Sequence, residues 1–230
     1  MTPSLLLSFD IGTTGNKAAL VDTATGAVMD SATATYPTFY TSDGGAEQRP
    51  EDWWGSVVTV CREIEERRPG ALHQVVGVSC SGMMNGVVAL AAQGMLARER
   101  ALIHADVRSA PQCRALAATL GIEAVFAVTG NRPDPHLSLP KMLWLRDKEP
   151  ETYARTECFI QAKDYVVGRL SGIWGVTDPS DASLTGAFSV ARRVWAVDLL
   201  DAVGIPRTRL TNLRQRRCAD AAERPFGCAA

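Results

Sequence analysis

Residues 5–22 read Leu-Leu-Leu-Ser-Phe-Asp-Ile-Gly-Thr-Thr-Gly-Asn-Lys-Ala-Ala-Leu-Val-Asp. An apolar run ends on the carboxylate of Asp10, and a second apolar run ends on Asp22. Two such runs joined through Gly-Thr-Thr-Gly predict a β-hairpin, in which glycine supplies the positive φ that short turns demand. An ordinary hairpin whose threonine hydroxyls satisfy their own turn would explain the same residues.

The same turn carries groups that bind phosphate. Glycine lets a ligand approach the main chain, and flanking N–H groups and threonine hydroxyls can donate to phosphate oxygens. A lysine adds a positive charge, and a carboxylate at a strand end can hold a hydrated Mg²⁺. We therefore predict a phosphate-binding loop, with Asp10 as the metal ligand, formed by Asp10, Gly12, Thr13, Thr14 and Lys17.

Composition places the chain among ordinary globular proteins. It has 230 residues, of which 46% are hydrophobic and 21% charged, and its net charge is −1. This length is sufficient for one large domain with a substantial core. A charge near zero gives no reason to expect nucleic acid or an anionic membrane as partner. The sequence has no apolar stretch near the roughly 20 residues that cross a membrane, and no basic flank precedes Leu5, so we expect a cytoplasmic protein.

The cysteines do not indicate a metal site. Six are scattered along the chain without a Cys-x-x-Cys pair, and the chain has only three histidines. This pattern does not favour zinc, and we expect the thiols to be reduced and mostly buried.

The rest of the chain alternates between helical and strand patterns. Pro50 begins a helix whose apolar stripe is Trp54, Val57, Val58, Cys61 and Ile64. A third strand is predicted at 27–36, a buried strand at 74–80, and helices at 109–120, 138–146, 162–172 and 195–203. An antiparallel meander followed by helices and apolar strands predicts an α/β domain with a mixed sheet.

Two later loops carry polar side chains next to predicted strands. Asn85 follows the strand at 74–80 and offers a donor and an acceptor to hydroxyl groups. Asp106 follows a second strand, and a carboxylate there can bind hydroxyls bidentately. His104, two residues earlier, could equally fill space.

Several segments, in this order, resemble the FGGY carbohydrate kinases of the sugar kinase/Hsp70/actin superfamily. They are Asp-x-Gly-Thr-Thr-x-x-Lys at 10–17, Glu-Gln-x-Pro-Glu-Asp-Trp-Trp at 47–54, the loop at 81–86, Thr-Gly…Ser-x-x-Lys-x-x-Trp at 129–144, and Thr-Asp-x-Ser-Asp-Ala-Ser at 177–183. The resemblance implies an actin-like (ribonuclease H-like) ATPase fold. It also implies ATP and Mg²⁺ as cofactors and a sugar or polyol as substrate, with a xylulose-like ketose as first candidate.

The resemblance also implies substrate-binding residues. Xylulokinase-like members have Gly-Gln-Met-His-Gly at the loop matching 82–86, and its Met-His pair lines the sugar pocket. Met84 and Asn85 occupy those two positions, with Asn85 in place of histidine. His104 stands at the usual tryptophan of a Trp-x-Asp-x-Arg segment that includes Asp106 and borders the sugar site. We expect Asn85 and Asp106 at one cleft with Met84 packed beneath, and a weaker match places His136 against the substrate.

The family pattern is incomplete at the C-terminal side. Members continue with Gly-Gly-x-Asp, whose aspartate is the general base, and no residue of this chain matches it, so no catalytic residue is assigned. We predict an incomplete N-terminal domain over 1–210 and an atypical tail, disordered or frame-shifted, over 211–230. Residues 205–230 hold six arginines against two acids. Asp178 and Asp181 lie in a string that we expect to be structural.

Three functions remain open. The chain could be the N-terminal domain of a sugar or polyol kinase, inactive by itself. It could instead be a non-catalytic sugar- or phosphate-binding remnant, or half of a split kinase whose partner chain carries the C-terminal domain; a homodimer is a further option. Another actin-like ATPase is disfavoured by the strings at 47–54 and 177–183.

Overall fold

A computed structural model describes residues 4–214. The strands are β1 (Leu5–Ile11), β2 (Gly15–Asp22), β3 (Val28–Thr35), β4 (Phe39–Tyr40), β5 (Ala46–Gln48), β6 (Val75–Gly82), β7 (Val88–Leu90), β8 (Ala101–Leu102), β9 (Cys158–Ile160), β10 (Val176–Thr177), β11 (Phe188–Ser189), β12 (Val194–Trp195) and β13 (Asn212–Leu213). The α-helices are α1 (Pro50–Arg67), α2 (Ala110–Leu120), α3 (Ile122–Thr129), α4 (Ser138–Lys148), α5 (Pro150–Arg155), α6 (Ala162–Ser171), α7 (Pro179–Ser183) and α8 (Val197–Ala202).

The first compact unit contains the predicted hairpin. Within the described residues it comprises 4–36 and 53–82. Its sheet has the order β3-β2-β1-β6, with antiparallel pairing from β1 to β3 and parallel pairing between β1 and β6. The mixed sheet and its N-terminal meander are therefore confirmed.

One face of this sheet supplies the core of the unit. Burial alternates along β1, where Leu5, Leu7, Phe9 and Ile11 are buried, as period-two strand geometry requires. The buried line of α1 is Trp53, Val57, Val60 and Ile64. The predicted apolar stripe was therefore wrong at three positions. Trp54, Val58 and Cys61 lie on the flank of the helix and are only half-buried.

Strand β6 differs from its prediction. It was expected to be buried, yet Val76 is 69% exposed and Val78 is 51% exposed. The reason is that β6 is the edge strand of the sheet as described over residues 4–214. The apolar composition of the strand therefore did not predict its exposure.

The second unit, 37–52 and 83–214 as described, is built from helices and short strands. Strand β5 lies between β4 and β8, β7 pairs with β9, β10 with β13, and β11 with β12. A core of leucine, aromatic and small residues includes Leu102, Leu145, Phe159, Leu200 and Ile205. This core supports the loops before β7 and after β8.

Most of the predicted elements of this unit are present. Helices α2, α4 and α6 match their predicted ranges, and Gly172 ends α6 in the left-handed conformation with φ 72°. The helix predicted at 195–203 was placed too early, because Trp195 belongs to β12 and α8 begins at Val197. Helices α3 and α5 were not predicted.

The predicted tail is described only in part. Residues 212–213 form β13, which runs parallel to β10, and residues 215–230 lie outside the described part of the chain. The boundary at 210 and the character of the tail therefore stay predictions. The described cysteines are free thiols, of which Cys113 is buried and the other three are half-buried. Among helices of residues 4–214, none has the length and apolar character needed to cross a membrane.

Candidate functional site

The predicted phosphate loop is the turn between β1 and β2. The Gly12 N–H donates to the carbonyls of Asp10 (3.1 Å) and Gly15 (3.0 Å), and the Tyr36 hydroxyl donates to the Gly12 carbonyl at 2.5 Å. The turn is therefore fixed mainly through its own backbone.

The glycines of this turn serve a purpose other than the predicted one. Neither Gly12 nor Gly15 has a positive φ. A Cβ on Gly15 would lie 2.6 Å from the carbonyl oxygen of Ala34 on the neighbouring strand. Gly15 is thus required because β3 passes too close for any side chain.

Two residues of the predicted loop, Asp10 and Lys17, line one depression on the first unit. Asp10 is opposite Lys17 in the antiparallel register, and both are exposed. The Ser81 hydroxyl donates to Asp10 Oδ1 at 2.9 Å. Asp10, Lys17 and Ser81 line an open depression of about 370 Å³. Thr13 and Thr14 are exposed at the tip of the turn.

This arrangement suits a hydrated cation rather than a cage of protein ligands. Residues 4–214 contain no cluster of three or more histidine, cysteine, aspartate or glutamate side chains that could hold a metal. One accessible carboxylate beside hydroxyl and ammonium groups matches the way Mg²⁺ is held through waters and phosphates.

The candidate sugar site lies in the second unit. Val87 and Leu102 pair through two main-chain hydrogen bonds of 2.8 and 3.1 Å. Because this pairing is antiparallel, the loop before Val87 and the loop after Leu102 lie at the same end. Asn85 Nδ2 is consequently 3.4 Å from His104 Nδ1, so two of the predicted residues meet.

A third side chain joins them from the loop before α4. The ring centroids of His104 and His136 are 4.9 Å apart, with the planes tilted by 33°. His136 receives support from Asp134, whose Oδ1 accepts from the His136 N–H (2.8 Å) and faces Nδ1 at 2.6 Å. Burial, the His136 charge and the Lys141 charge together lower the pKa of His104.

The Asn85 backbone is held in an uncommon conformation. Its φ is 65°, in the left-handed region that asparagine tolerates better than most residues. Its N–H donates to Gln161 Oε1 at 2.9 Å, and its carbonyl accepts from Lys141 Nζ at 3.1 Å. These two contacts aim the Asn85 amide at His104.

Lys141 was not predicted as a site residue, although it is the lysine of the Ser-x-x-Lys string. It is fully buried on α4, and its ammonium donates to the carbonyls of both Asn85 and His136. Burial lowers the pKa of Lys141 to about 7, against the opposing charges of Asp106 and Asp134. Lys141 therefore ties together the two loops that carry the polar side chains.

Met84 does not pack beneath the site as predicted. Its side chain is 42% exposed, whereas the preceding Met83 is 8% exposed. Met84 lies at the accessible surface beside Asn85, and Met83 is the buried methionine of this loop.

Asp106 has a different role from the predicted hydroxyl acceptor. It is fully buried, and its carboxylate accepts from the backbone N–H groups of Ala46 (3.0 Å) and Arg108 (3.1 Å). The Arg108 guanidinium donates to it at 2.6 Å and also to Glu47 at 2.5 Å. The guanidinium lies 4.5 Å from the centre of the Trp144 ring. The Asp106 carboxylate thus anchors its own loop and is not available as a hydroxyl acceptor in the candidate site.

The two aspartates near α7 are structural, as predicted. Asp178 caps α7 by accepting from the N–H groups of Ser180 and Asp181. Lys163 Nζ lies 2.9 Å from Asp178 and 3.2 Å from Asp181. Both carboxylates are therefore engaged within the protein.

Comparison with known proteins identifies the family. Residues 5–219 match the N-terminal domain of the FGGY family of carbohydrate kinases. The chain belongs to this family. Its FGGY domain contains both the hairpin turn and the Asn85–His104 pair.

The FGGY domain is similar to curated xylulose kinases. It is 36% identical to that of Streptomyces rubiginosus over 202 residues, which are 87% of this chain and 40% of the relative. It is 32% identical to that of Bacillus subtilis over 200 residues, covering 87% of this chain and 39% of the relative. The chain therefore spans about 40% of the length of these relatives.

A solved structure confirms the fold. The crystal structure of a xyloylose kinase from Brucella ovis superimposes with a TM-score of 0.85 at 28% identity, covering 91% of this chain and 43% of that protein. The mixed sheet and surrounding helices are thus those of FGGY sugar kinases, consistent with the predicted actin-like ATPase fold.

Proposed function

We propose that this chain supplies the sugar-recognition loops and the first phosphate loop of an ATP-dependent kinase for a sugar or polyol. A xylulose-like ketose is the first candidate, because the curated relatives described above are xylulose kinases. The observation that carries the proposal is the meeting of Asn85, His104 and His136 on three loops of one unit. The two histidine rings are accessible and Asn85 is half-buried beside them, a set of polar groups that suits a molecule rich in hydroxyls.

The phosphate loop has a definite part in this proposal. Asp10 would hold Mg²⁺ through waters, while the Thr13 and Thr14 hydroxyls and Lys17 would donate to phosphate oxygens of ATP. The exposed Asp10 carboxylate, steadied by Ser81, fits such a hydrated ion. When bound, Mg²⁺ neutralises charge that develops on the phosphates during transfer.

We further propose that the isolated chain does not phosphorylate sugar. Phosphoryl transfer requires a carboxylate that orients the attacking hydroxyl. Of the described carboxylates considered for this role, Asp106 is buried against Arg108, and Asp178 and Asp181 are bound by Lys163. The same observation favours the alternative function of a binding module, or of one half of a split kinase.

The test is a coupled ADP-release assay with a panel of ketoses, aldoses and polyols, with Asp10→Ala as the blank. We expect no sugar-dependent turnover above background ATP hydrolysis. Sugar-dependent turnover that Asp10→Ala abolishes would show that the base lies within this chain and that the inactivity proposal is wrong.

Two binding measurements separate the parts of the proposal. Isothermal titration should show weak or undetectable Mg·ATP binding, because a single loop holds the phosphates from one side; micromolar or tighter binding would contradict this. D-xylulose, titrated separately, should bind to the wild type and bind more weakly to Asn85→Ala. Asn212→Ala, an exposed asparagine, is the matched control.

A further inference from the structure

Helix α3 presents an apolar face to solvent in the part of the chain that the structure describes. Its sequence is Ile-Glu-Ala-Val-Phe-Ala-Val-Thr over 122–129, and only Val125 and Thr129 are buried. The other six residues are exposed, and five of them are apolar. A helix at a protein surface ordinarily places polar residues on its outward side. The composition of α3 is therefore typical of a helix that packs against a further surface.

The turn of the β11–β12 hairpin extends this apolar face. The Val190 N–H donates to the Val128 carbonyl at 3.2 Å, and the Val190 side chain is 48% exposed. A Cβ on Gly130 would lie 3.5 Å from Val190 Cγ2, so Val190 lies beside the C-terminal end of α3. A contiguous apolar surface of this kind marks an interaction site. We call it the α3 face, and its residues are Ile122, Ala124, Phe126, Ala127, Val128 and Val190.

The charged residues around the α3 face differ between its two ends. Glu123 lies in the first turn of α3 and has an exposed side chain. Arg132 pairs with it at 2.8 Å, yet both side chains remain largely exposed, so the carboxylate is accessible to a second cation. Arg192 and Arg193, which follow Val190 in the hairpin, are exposed at the other end and form what we call the arginine turn.

We propose that the α3 face binds a second copy of this chain, with the two α3 helices antiparallel about a two-fold axis. An axis centred on Phe126 and Ala127 places Glu123 of one copy across from Gly130 of the other, at the arginine turn. Because a two-fold interface joins the same patch of both copies, this contact between opposite charges forms twice. The small side chains of Ala124 and Ala127 allow the two helices to approach closely.

The size of the α3 face sets the strength of the dimer. One helix and one turn from each copy bury less than the roughly 800 Å² per partner of a standard stable complex. We therefore expect a weak dimer that dissociates on dilution. The α3 face contains none of the residues of the candidate sugar site or the phosphate loop, so this proposal is independent of the proposed function.

Sedimentation velocity of the full chain, at concentrations from about 5 to about 500 µM, tests the association. The weight-average sedimentation coefficient should rise with concentration. Ala127→Arg should weaken the association at least about tenfold, because it places two like charges beside the two-fold axis. Ala118→Arg is the matched control on α2, where the alanine is also exposed, and it should associate like the wild type.

Two results of this experiment would overturn the proposal. One is a wild type that stays monomeric at every concentration, which would leave the α3 face to a partner of another kind. The other is association that Ala127→Arg leaves unchanged, which would place the dimer interface elsewhere. Neither result depends on a variant that fails to fold, since the first uses the wild type and Ala127 is exposed.

Crosslinking tests the antiparallel arrangement. A disulfide forms only when the two Cα atoms are about 4.4–6.8 Å apart, a separation that residues beside a two-fold axis can reach. Under mild oxidation Ala127→Cys should give a covalent dimer, with the wild type measuring the background from the six native cysteines. Ala118→Cys, away from the axis, should not exceed that background. If Ala127→Cys crosslinks no more than Ala118→Cys, the two α3 helices do not meet at the axis and the proposal is wrong.

Discussion

The two candidate regions are stabilised in different ways. The phosphate loop is held by main-chain hydrogen bonds, strand register and a glycine that fits a narrow space. The sugar-site loops are held by buried charges, namely the Lys141 ammonium and the Asp106–Arg108 pair. Local backbone geometry can be encoded within a few residues, whereas a buried charge depends on partners that are distant in sequence.

This difference predicts that the stability of the two units responds to different kinds of substitution. The first unit should respond to changes in side-chain volume at the hairpin and little to changes in charge. The second unit should respond strongly to loss of a charged partner, because a buried charge without a counterion is costly.

The largest effect should come from Arg108→Met. This change leaves Asp106 and Glu47 without their shared guanidinium, and we expect the free energy of unfolding to fall by about 3–5 kcal/mol. Urea titration measures it. Arg132→Met is the matched control, since the Arg132–Glu123 pair is exposed on both sides and should change stability by less than about 0.5 kcal/mol. Equal effects would contradict the charge-based description of the second unit.

The next largest loss of stability should come from Gly15→Ala. The new Cβ would approach the Ala34 carbonyl to 2.6 Å, so β2 and β3 must separate, at a cost of about 3 kcal/mol. Gly55→Ala provides a control in α1, where a Cβ meets nothing within 4 Å; it should raise stability by about 0.5–1 kcal/mol. Thermal unfolding of both variants gives the comparison, and a neutral Gly15→Ala would show that the turn is not constrained by space.

The contribution of Asp181, in the second unit, to the free energy of unfolding should depend on pH. Burial raises the pKa of Asp181 to about 6, with the Lys163 charge opposing and the charges of Asp164 and Asp178 adding to the shift. The folded chain thus retains this proton between pH ~4 and pH ~6 while the unfolded chain releases it, so the contribution of Asp181 to stability falls as the pH rises through this window.

The measurement compares wild type with Asp181→Asn at pH 4 and pH 7. The wild type should lose about 2 kcal/mol of unfolding free energy relative to the variant over this interval. Asp198→Asn, at an exposed aspartate, should run parallel to the wild type. A constant difference between wild type and Asp181→Asn would show that Asp181 is ionised throughout.

The smallest effect concerns a buried amide in the first unit. Asn16 is fully buried in β2, and neither side-chain polar atom has a hydrogen-bond partner among the described residues. Asn16→Val should raise the free energy of unfolding by about 1 kcal/mol, because it removes the desolvation cost and favours the strand. Asn212→Val, at an exposed strand position, should leave stability unchanged. If Asn16→Val is instead less stable than the wild type, the Asn16 amide has hydrogen-bond partners in the folded protein.

These contrasts explain what the sequence could predict. The hairpin follows from a pattern within residues 5–22, and the mixed sheet follows from the order of strand and helix patterns along the chain. A meeting of the loops that carry Asn85 and Asp106 was also expected, because both loops follow apolar strands, and in the structure it is the His104 side chain that meets Asn85. The burial of Asp106 was not, since its carboxylate is satisfied by the N–H of Ala46, 60 residues away. The linking role of Lys141 likewise required knowledge of which carbonyls it meets.

Hydrogen–deuterium exchange with and without D-xylulose tests the central claim most directly. If the second unit holds the sugar, protection should increase in the segments 83–86, 103–108 and 132–138. Exchange in β1 and β2 should remain unchanged. Protection confined to the hairpin, or no protection at a concentration of D-xylulose that saturates binding, would contradict the assignment of the sugar site to these three loops.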